Sequence, residues 1–218
     1  MYFKSRVDAG QQLAQQMKRY KDERVSIIAL SNGGAVVAAQ IAKALHCPIM
    51  MLMTKPIKAP GEPEAVASIN QEGTYAYNSS YSQGELEEFD MEYSHIFEQN
   101  KLDEMATMHR LLGRHSIIRR DLIRGHIIVL VSDGLNSSFT LDAAVLYLKA
   151  TKIKKLIIAT PLASIPAIDK MHILADELYC LSTVDRYIET NHYYDNNEMP
   201  SPEVIISSIQ HIVQNWQK

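Results

Sequence analysis

Cysteine is scarce: the 218 residues hold two, Cys47 and Cys180, far apart in the chain. So sparse a pair makes no disulfide framework, and each thiol is expected to pack as a small buried hydrophobe. No apolar run approaches the roughly 18 residues that a membrane span needs. The opening MYFKSRVDAG carries charge early and lacks an apolar signal core, so a soluble, cytoplasmic setting is the expectation. Charge of one sign is also missing. The formal net charge is −3, with no basic tail and no run of like charges. Nucleic acid and membrane surfaces are therefore not expected partners. The eight histidines show no His-x-x-x-His spacing and the cysteines no Cys-x-x-Cys, which argues against zinc. Gly-x-Ser-x-Gly and Gly-x-x-x-x-Gly-Lys are absent, so serine-hydrolase and P-loop chemistry have no motif to rest on.

What is present is a hydrophobic fraction of 46%, enough for a sizeable core. The length suits one domain, or one domain with an inserted subdomain. Hydrophobic spacing lays out alternating elements. Val7–Tyr20 places Leu13, Met17 and Tyr20 on one helical face. Val25–Leu30 reads as a strand, Gly33-Gly34 as a tight turn, Ala35–Leu45 as a small-residue helix and Pro48–Met53 as a second strand. Such a unit implies a right-handed parallel crossover. From Lys55 the prolines and Gly61 predict a loop, Ala67–Tyr81 a small hairpin or cover, and Ser82-x-x-Glu85 a capping box opening a helical region, Glu85–Gly113. A further helix is expected over Ser116–Ile123. The core resumes with strand Ile127–Val131, helix Leu141–Thr151, strand Leu156–Ala159, helix Ile165–Leu174 and strand Glu177–Leu181. Asp185–Pro200 reads as a polar-aromatic loop, and Ser201-Pro202 starts the last helix. The expected fold is α/β, with a mainly parallel central sheet, helices on both faces, and a hood or helical insertion over residues 55–124.

The stretch His126–Val145, HIIVLVSDGLNSSFTLDAAV, concentrates the functional signal. An all-apolar strand breaks into a loop carrying one carboxylate and a row of hydroxyls and amides, then into a helix for which Thr140 is placed as the N-cap. A strand end feeding a polar loop and a helix N-terminus is where open α/β sheets bind anions.

This stretch resembles the phosphoribosyl-diphosphate (PRPP) loop of type I phosphoribosyltransferases, in which a hydrophobic strand ends in two acids and a small-residue phosphate loop follows. Ser132, Asp133, Gly134, Leu135, Asn136, Ser137, Ser138, Phe139 and Thr140 occupy those places here. The first acid is Ser132, and the loop glycine is Ser138. Phe3-x-x-Arg6-x-x-Ala9-Gly10-x-x-Leu13-Ala14 is similar to the N-terminus of one bacterial subgroup. Ser31-Asn32-Gly33-Gly34 is similar to its diphosphate loop, KPIKAPGEPE (Lys55–Glu64) to its proline-rich segment, and Tyr179–Val204 to its closing segment.

The resemblance implies roles. Asp133 faces the ribose hydroxyls of PRPP directly or through Mg²⁺, and Ser132 replaces its partner acid with an uncharged hydroxyl. Asn136, Ser137, Ser138, Phe139 and Thr140 wrap the 5′-phosphate. Ser31, Asn32, Gly33 and Gly34 hold the diphosphate, with Asn32 where the family has arginine and Lys55 as a candidate replacement cation. Beside each role stands a bland alternative: Asp133 as a turn cap, the loop as a helix cap, Gly33-Gly34 as a strand-to-helix turn, Lys55 as a surface lysine. Arg6 is either a structural ion-pair partner or a ligand contact, and Tyr187, Tyr193 and Tyr194 either stack a planar acceptor or pack the tail. The implied function is binding of PRPP or another sugar phosphate, with transfer of ribose 5-phosphate to a nitrogenous acceptor and release of diphosphate. The alternative is a catalytically inactive ligand sensor or scaffold on the same fold. Apolar positions in Met105–Leu112 make a homodimer plausible.

Overall fold

Five parallel strands build the central sheet: β1 (Val25–Ala29), β2 (Ile49–Met51), β6 (Ile127–Val131), β7 (Lys155–Ser164) and β8 (Glu177–Val184), in the order β2-β1-β6-β7-β8. The computed structural model describes residues 2–113, 118–136 and 139–215. β1 and β6 are buried throughout and run in register from Val25 opposite Ile127 to Ala29 opposite Val131. Continuous apolar runs suit strands covered on both faces.

The alternation of the strands divides the core in two. Ile27, Ala29, Val129 and Val131 pack under α1 (Arg6–Gln16), α2 (Asn32–Leu45) and α6 (Pro202–Asn215). Ile28, Leu30, Ile128 and Leu130 pack under α4 (Phe139–Lys149) and α5 (Ile165–Leu174). Helices thus cover both faces, as expected. Gly10 lets α1 lie close on α2, since a Cβ there would stand 2.7 Å from the Val37 carbonyl.

Between β2 and β6 the chain makes an excursion. β3 (Thr54–Ile57), β4 (Ala67–Asn70) and β5 (Tyr75–Tyr77) form an antiparallel sheet, on which α3 (Gln83–Leu112) packs Phe97 and Met108 against Ile57, Val66 and Ile69. The Ser82/Glu85 capping box forms as expected. Gln71 ties this hood to the main sheet. Its Nε2 donates to the Met51 carbonyl at 2.7 Å, and its Oε1 accepts from the Met53 amide at 2.6 Å.

Several expectations need correction. The proline-rich stretch is not all loop: Lys55 and Pro56 lie in β3, an edge strand, where an absent N–H costs no ladder bond. Instead of a helix over Ser116–Ile123, the described residues show one short 3₁₀ turn, Arg120–Leu122; residues 114–117 lie outside the described ones. Burial of Ile118 and Ile123, with the Ile118 amide donating to Glu72 Oε1 at 3.1 Å, shapes that segment in place of helical spacing. β7 runs to Ser164 because β8 pairs with its extension on one side, up to Ser164 opposite Val184, and the loop after β6 on the other: Leu135 N–H donates to Leu162 O at 3.0 Å and Ser164 N–H to Leu135 O at 2.9 Å. α4 starts at Phe139, so Thr140 sits in its first turn and not at the cap. No helix among the described residues is long and apolar enough to cross a membrane.

Candidate functional site

The chain leaves β1 towards β2 and leaves β6 in the opposite direction, towards β7, with the connecting helices α2 and α4 on opposite faces. Adjacent strands that diverge in this way open a crevice beyond their C-terminal ends. A cavity of about 380 Å³ lies there. Leu30 and Ser31 line it from the end of β1, Ser132 to Asn136 from the loop after β6, and Thr140 from the first turn of α4. Thr54 lines it from the hood, and Tyr187 and Thr190 from the tail. Hydroxyl groups dominate this wall. Among the described residues that line it there is no lysine, arginine or histidine, and Asp133 is the sole carboxylate.

Asp133 is buried, and each of its carboxylate oxygens accepts one hydrogen bond. Its Oδ2 accepts from Arg6 Nε at 2.7 Å, and its Oδ1 accepts from Ser31 Oγ at 2.8 Å. The Arg6 guanidinium is itself buried, reaching Asn191 Oδ1 at 2.6 Å and Asn197 Oδ1 at 3.2 Å, and lying 4.5 Å from the centre of the Tyr194 ring. Tyr194 closes the circuit by donating its hydroxyl to the Asp133 carbonyl at 2.5 Å. Burial pushes the Tyr194 and Tyr187 phenols up, which keeps both as neutral donors. Each carboxylate oxygen retains a lone pair that can accept a further hydrogen bond.

Ser31 caps α2, accepting from the Gly34 amide at 2.8 Å while donating to Asp133. Asn32, Gly33 and Gly34 therefore form the first turn of α2 and not the tight turn expected from sequence. Gly33 serves close approach: a Cβ there would stand 1.9 Å from Asp133 Oδ2 and 2.7 Å from Arg6 Nε.

Ser132 spends its hydroxyl on the loop, donating to the Gly134 carbonyl at 2.9 Å and accepting from its amide at 3.3 Å. The Asn136 carbonyl accepts from Ser164 Oγ at 2.6 Å, which leaves its exposed amide side chain at the cleft. Ser137, Ser138 and the side chain of Phe139 lie outside the described residues. Lys55 follows Thr54 along β3, and it is Thr54 that lines the cleft. Sequence reasoning missed Thr54 and Thr190 as lining residues, and Asn191 and Asn197 as the partners of Arg6. Nothing local marks them, because the fold brings them from hood and tail.

The resemblance places Mg²⁺ at Asp133. Mg²⁺ takes near-octahedral oxygen ligands and is usually held by one or two carboxylates together with substrate phosphates. Here one carboxylate is available, it already faces a guanidinium, and no group of three metal-binding side chains occurs among the described residues. Asp133 would therefore hold Mg²⁺ only together with substrate phosphates and water.

Comparison with known proteins agrees with this architecture. A family model described as the phosphoribosyl transferase domain matches residues 3–197. Two Mycobacterium tuberculosis proteins, from strains CDC 1551/Oshkosh and ATCC 25618/H37Rv, each named "Putative phosphoribosyl transferase", are 28% identical over 208 residues, covering 94% of this chain and 46% of theirs. The chain thus spans about half the length of these curated relatives. A crystal structure of a Thermus thermophilus protein superimposes with a TM-score of 0.70 at 22% identity, covering 99% of both chains. With its parallel sheet, its hood and the cleft at the strand ends, the chain belongs to the phosphoribosyl transferase domain family.

Proposed function

We propose that the cleft binds the ribose 5-phosphate portion of PRPP or of another sugar phosphate. The carrying observation is the cavity of about 380 Å³ at the diverging strands, lined by Ser31, Thr54, Ser132, Thr140 and Thr190 together with Asp133. Ribose hydroxyls would donate to the lone pairs that Asp133 keeps beyond its bonds to Arg6 and Ser31. The 5′-phosphate would lie at the first turn of α4, where Thr140 adds a donor to the helix dipole.

Transfer of the ribose 5-phosphate to a nitrogen nucleophile is the reaction the family suggests, but a second reading, a ligand sensor without turnover, is favoured by one specific observation. A carboxylate 2.7 Å from a guanidinium sheds much of the field that would stabilise positive charge as a glycosidic bond opens. Ser132 adds no charge, and Asn136 cannot take a proton from an acceptor at neutral pH.

Isothermal titration with ribose 5-phosphate tests the binding. A saturable signal that Asp133→Ala weakens at least tenfold is expected. No signal, or one that Asp133→Ala leaves unchanged, removes the proposal. Diphosphate release over a panel of nitrogenous bases separates transferase from sensor, and sustained release eliminates the sensor.

A further inference from the structure

β8 is one edge of the central sheet, and its sequence ELYCLSTV holds no proline, glycine or lysine. β1 and β6 are buried at every position, whereas no residue of β8 is. Among the described residues no strand lies on its outer side, so every second backbone N–H and C=O points outward without a ladder partner. The opposite edge, β2, is only three residues long, and Gln71 of the hood bonds to the chain at its end. A long edge without charge or proline to blunt it is a template for another strand. We propose that β8 pairs antiparallel with β8 of a second copy of this chain, joining the two central sheets across a two-fold axis.

The flanks of the edge match their own copy. α1 and α5 both pack on β8, one on each face. Lys170 of α5 reaches Asp142 of α4 at 3.0 Å, which marks the inner side of that helix. At about 100° per residue, Ile165 and Ile168 fall on the opposite side, facing out past the edge. Ile165 is 45% exposed, and Ile168 is only partly buried. A two-fold axis perpendicular to the sheet sets each α5 beside its copy, so these apolar side chains cover one another. Charge matches too. Arg19, over the Tyr179 ring, and Asp176 lie at the start of β8, while Asp185 and Arg186 follow its end, and all four are exposed. Antiparallel pairing brings Arg19 towards the partner subunit's Asp185, and Asp176 towards the partner subunit's Arg186.

The size also suits a dimer. Eight residues at about 3.3 Å each make an edge roughly 26 Å long, and a helix on either face makes it roughly 30 Å deep. Such a footprint is close to the ~800 Å² per copy of a standard interface. The stretch Met105–Leu112 competes poorly as a seat, because Met108 and Leu112 are buried within the chain and Met105 packs on the hood core.

Sedimentation equilibrium of the full chain from about 1 to 100 μM, with hydrogen exchange of the β8 amides, tests the pairing. Expected is a reversible monomer–dimer equilibrium, with β8 amides exchanging faster once dilution has separated the copies. Thr183→Lys, at an exposed position of the edge, and Ile165→Lys, on the flank, set like charges across the two-fold axis. Each should weaken the dimer roughly tenfold or more with the circular dichroism unchanged. A monomer at every concentration, an open-ended assembly, or a dimer that both folded variants leave intact overturns the inference. Should neither variant fold, β8 exchange in the unaltered chain decides: a rate indifferent to dilution overturns the pairing as well.

Discussion

Arg6 Nε lies 2.7 Å from Asp133 Oδ2, and the two side chains are 6% and 11% exposed. One residue opens the first helix and the other ends the loop-side of the central strand, so 127 positions of chain close on a single ion pair. Breaking a buried pair on one side leaves a lone charge in low dielectric. Arg6→Ala is expected to cost about 3–5 kcal/mol in urea denaturation. The double variant Arg6→Ala/Asp133→Ala should cost clearly less than the sum of the two single variants, because no charge is then stranded. Additive losses would show that the pair is not coupled.

Gly33 permits that pair to form. A methyl group at this position would overlap the Asp133 carboxylate, at 1.9 Å from Oδ2. Gly33→Ala is expected to lower stability by about 1–3 kcal/mol, as overpacking does, and to weaken any ligand that uses Asp133. Gly84, which has open space around its Cβ position, is the control: Gly84→Ala should be neutral or slightly stabilising as an exposed helical substitution. Thermal melts of the two variants compare them directly.

Far from the cleft, at the start of β8, Glu177 accepts from Lys155, Tyr20 and Arg19. The Lys155 ammonium, with the Tyr20 hydroxyl, pulls its carboxyl from the ordinary 4.5 down to about 2. A depressed carboxyl contributes stability that is fully present above its unfolded value and is lost as pH falls through the folded one. The melting temperature should therefore drop between about pH 4.5 and 2, and Glu177→Gln should flatten that part of the profile. An unchanged acid limb in Glu177→Gln would assign the drop to other groups.

Cys47 is buried between α2 and β2, and burial pushes its thiol up to about 12. Burial also raises the Cys180 thiol. The thiolate is the reactive species, so both should resist a thiol reagent at neutral pH in the native protein. Both should label promptly in denaturant. Fast native labelling of Cys47 would show that the β2 edge opens readily.

The parallel strands and their helices were legible because burial writes itself into local pattern. Ile127–Val131 is an unbroken apolar run, Ile165–Leu174 follows the capping Ser164 with Pro166 in its first turn, and Ser82 with Glu85 announces its own cap. Where the sequence misled, a distant partner had taken over. Pro56 is tolerated in β3 because that strand is an edge, and β7 lengthens because β8 and Leu135 pair with its extension. The candidate site was legible at the strand ends and, through Tyr187, in part of the tail. Asp133, Ser132, Ser31 and Thr140 stand in recognisable strand-end and helix-start positions, whereas Thr54 and Thr190 come from the hood and the tail with no local signature.

By itself the sequence determined the layers, the central strand and the loop that carries Asp133, since apolar periodicity and turn chemistry act over a few residues. Only the tertiary structure decided that Arg6 would neutralise Asp133, that Gly33 would make room for the pair, and that the cleft wall would be hydroxyl-rich and without its own cation. Electrostatics and close packing depend on separations in space. Residues more than a hundred positions apart meet there, and no window along the chain contains them both.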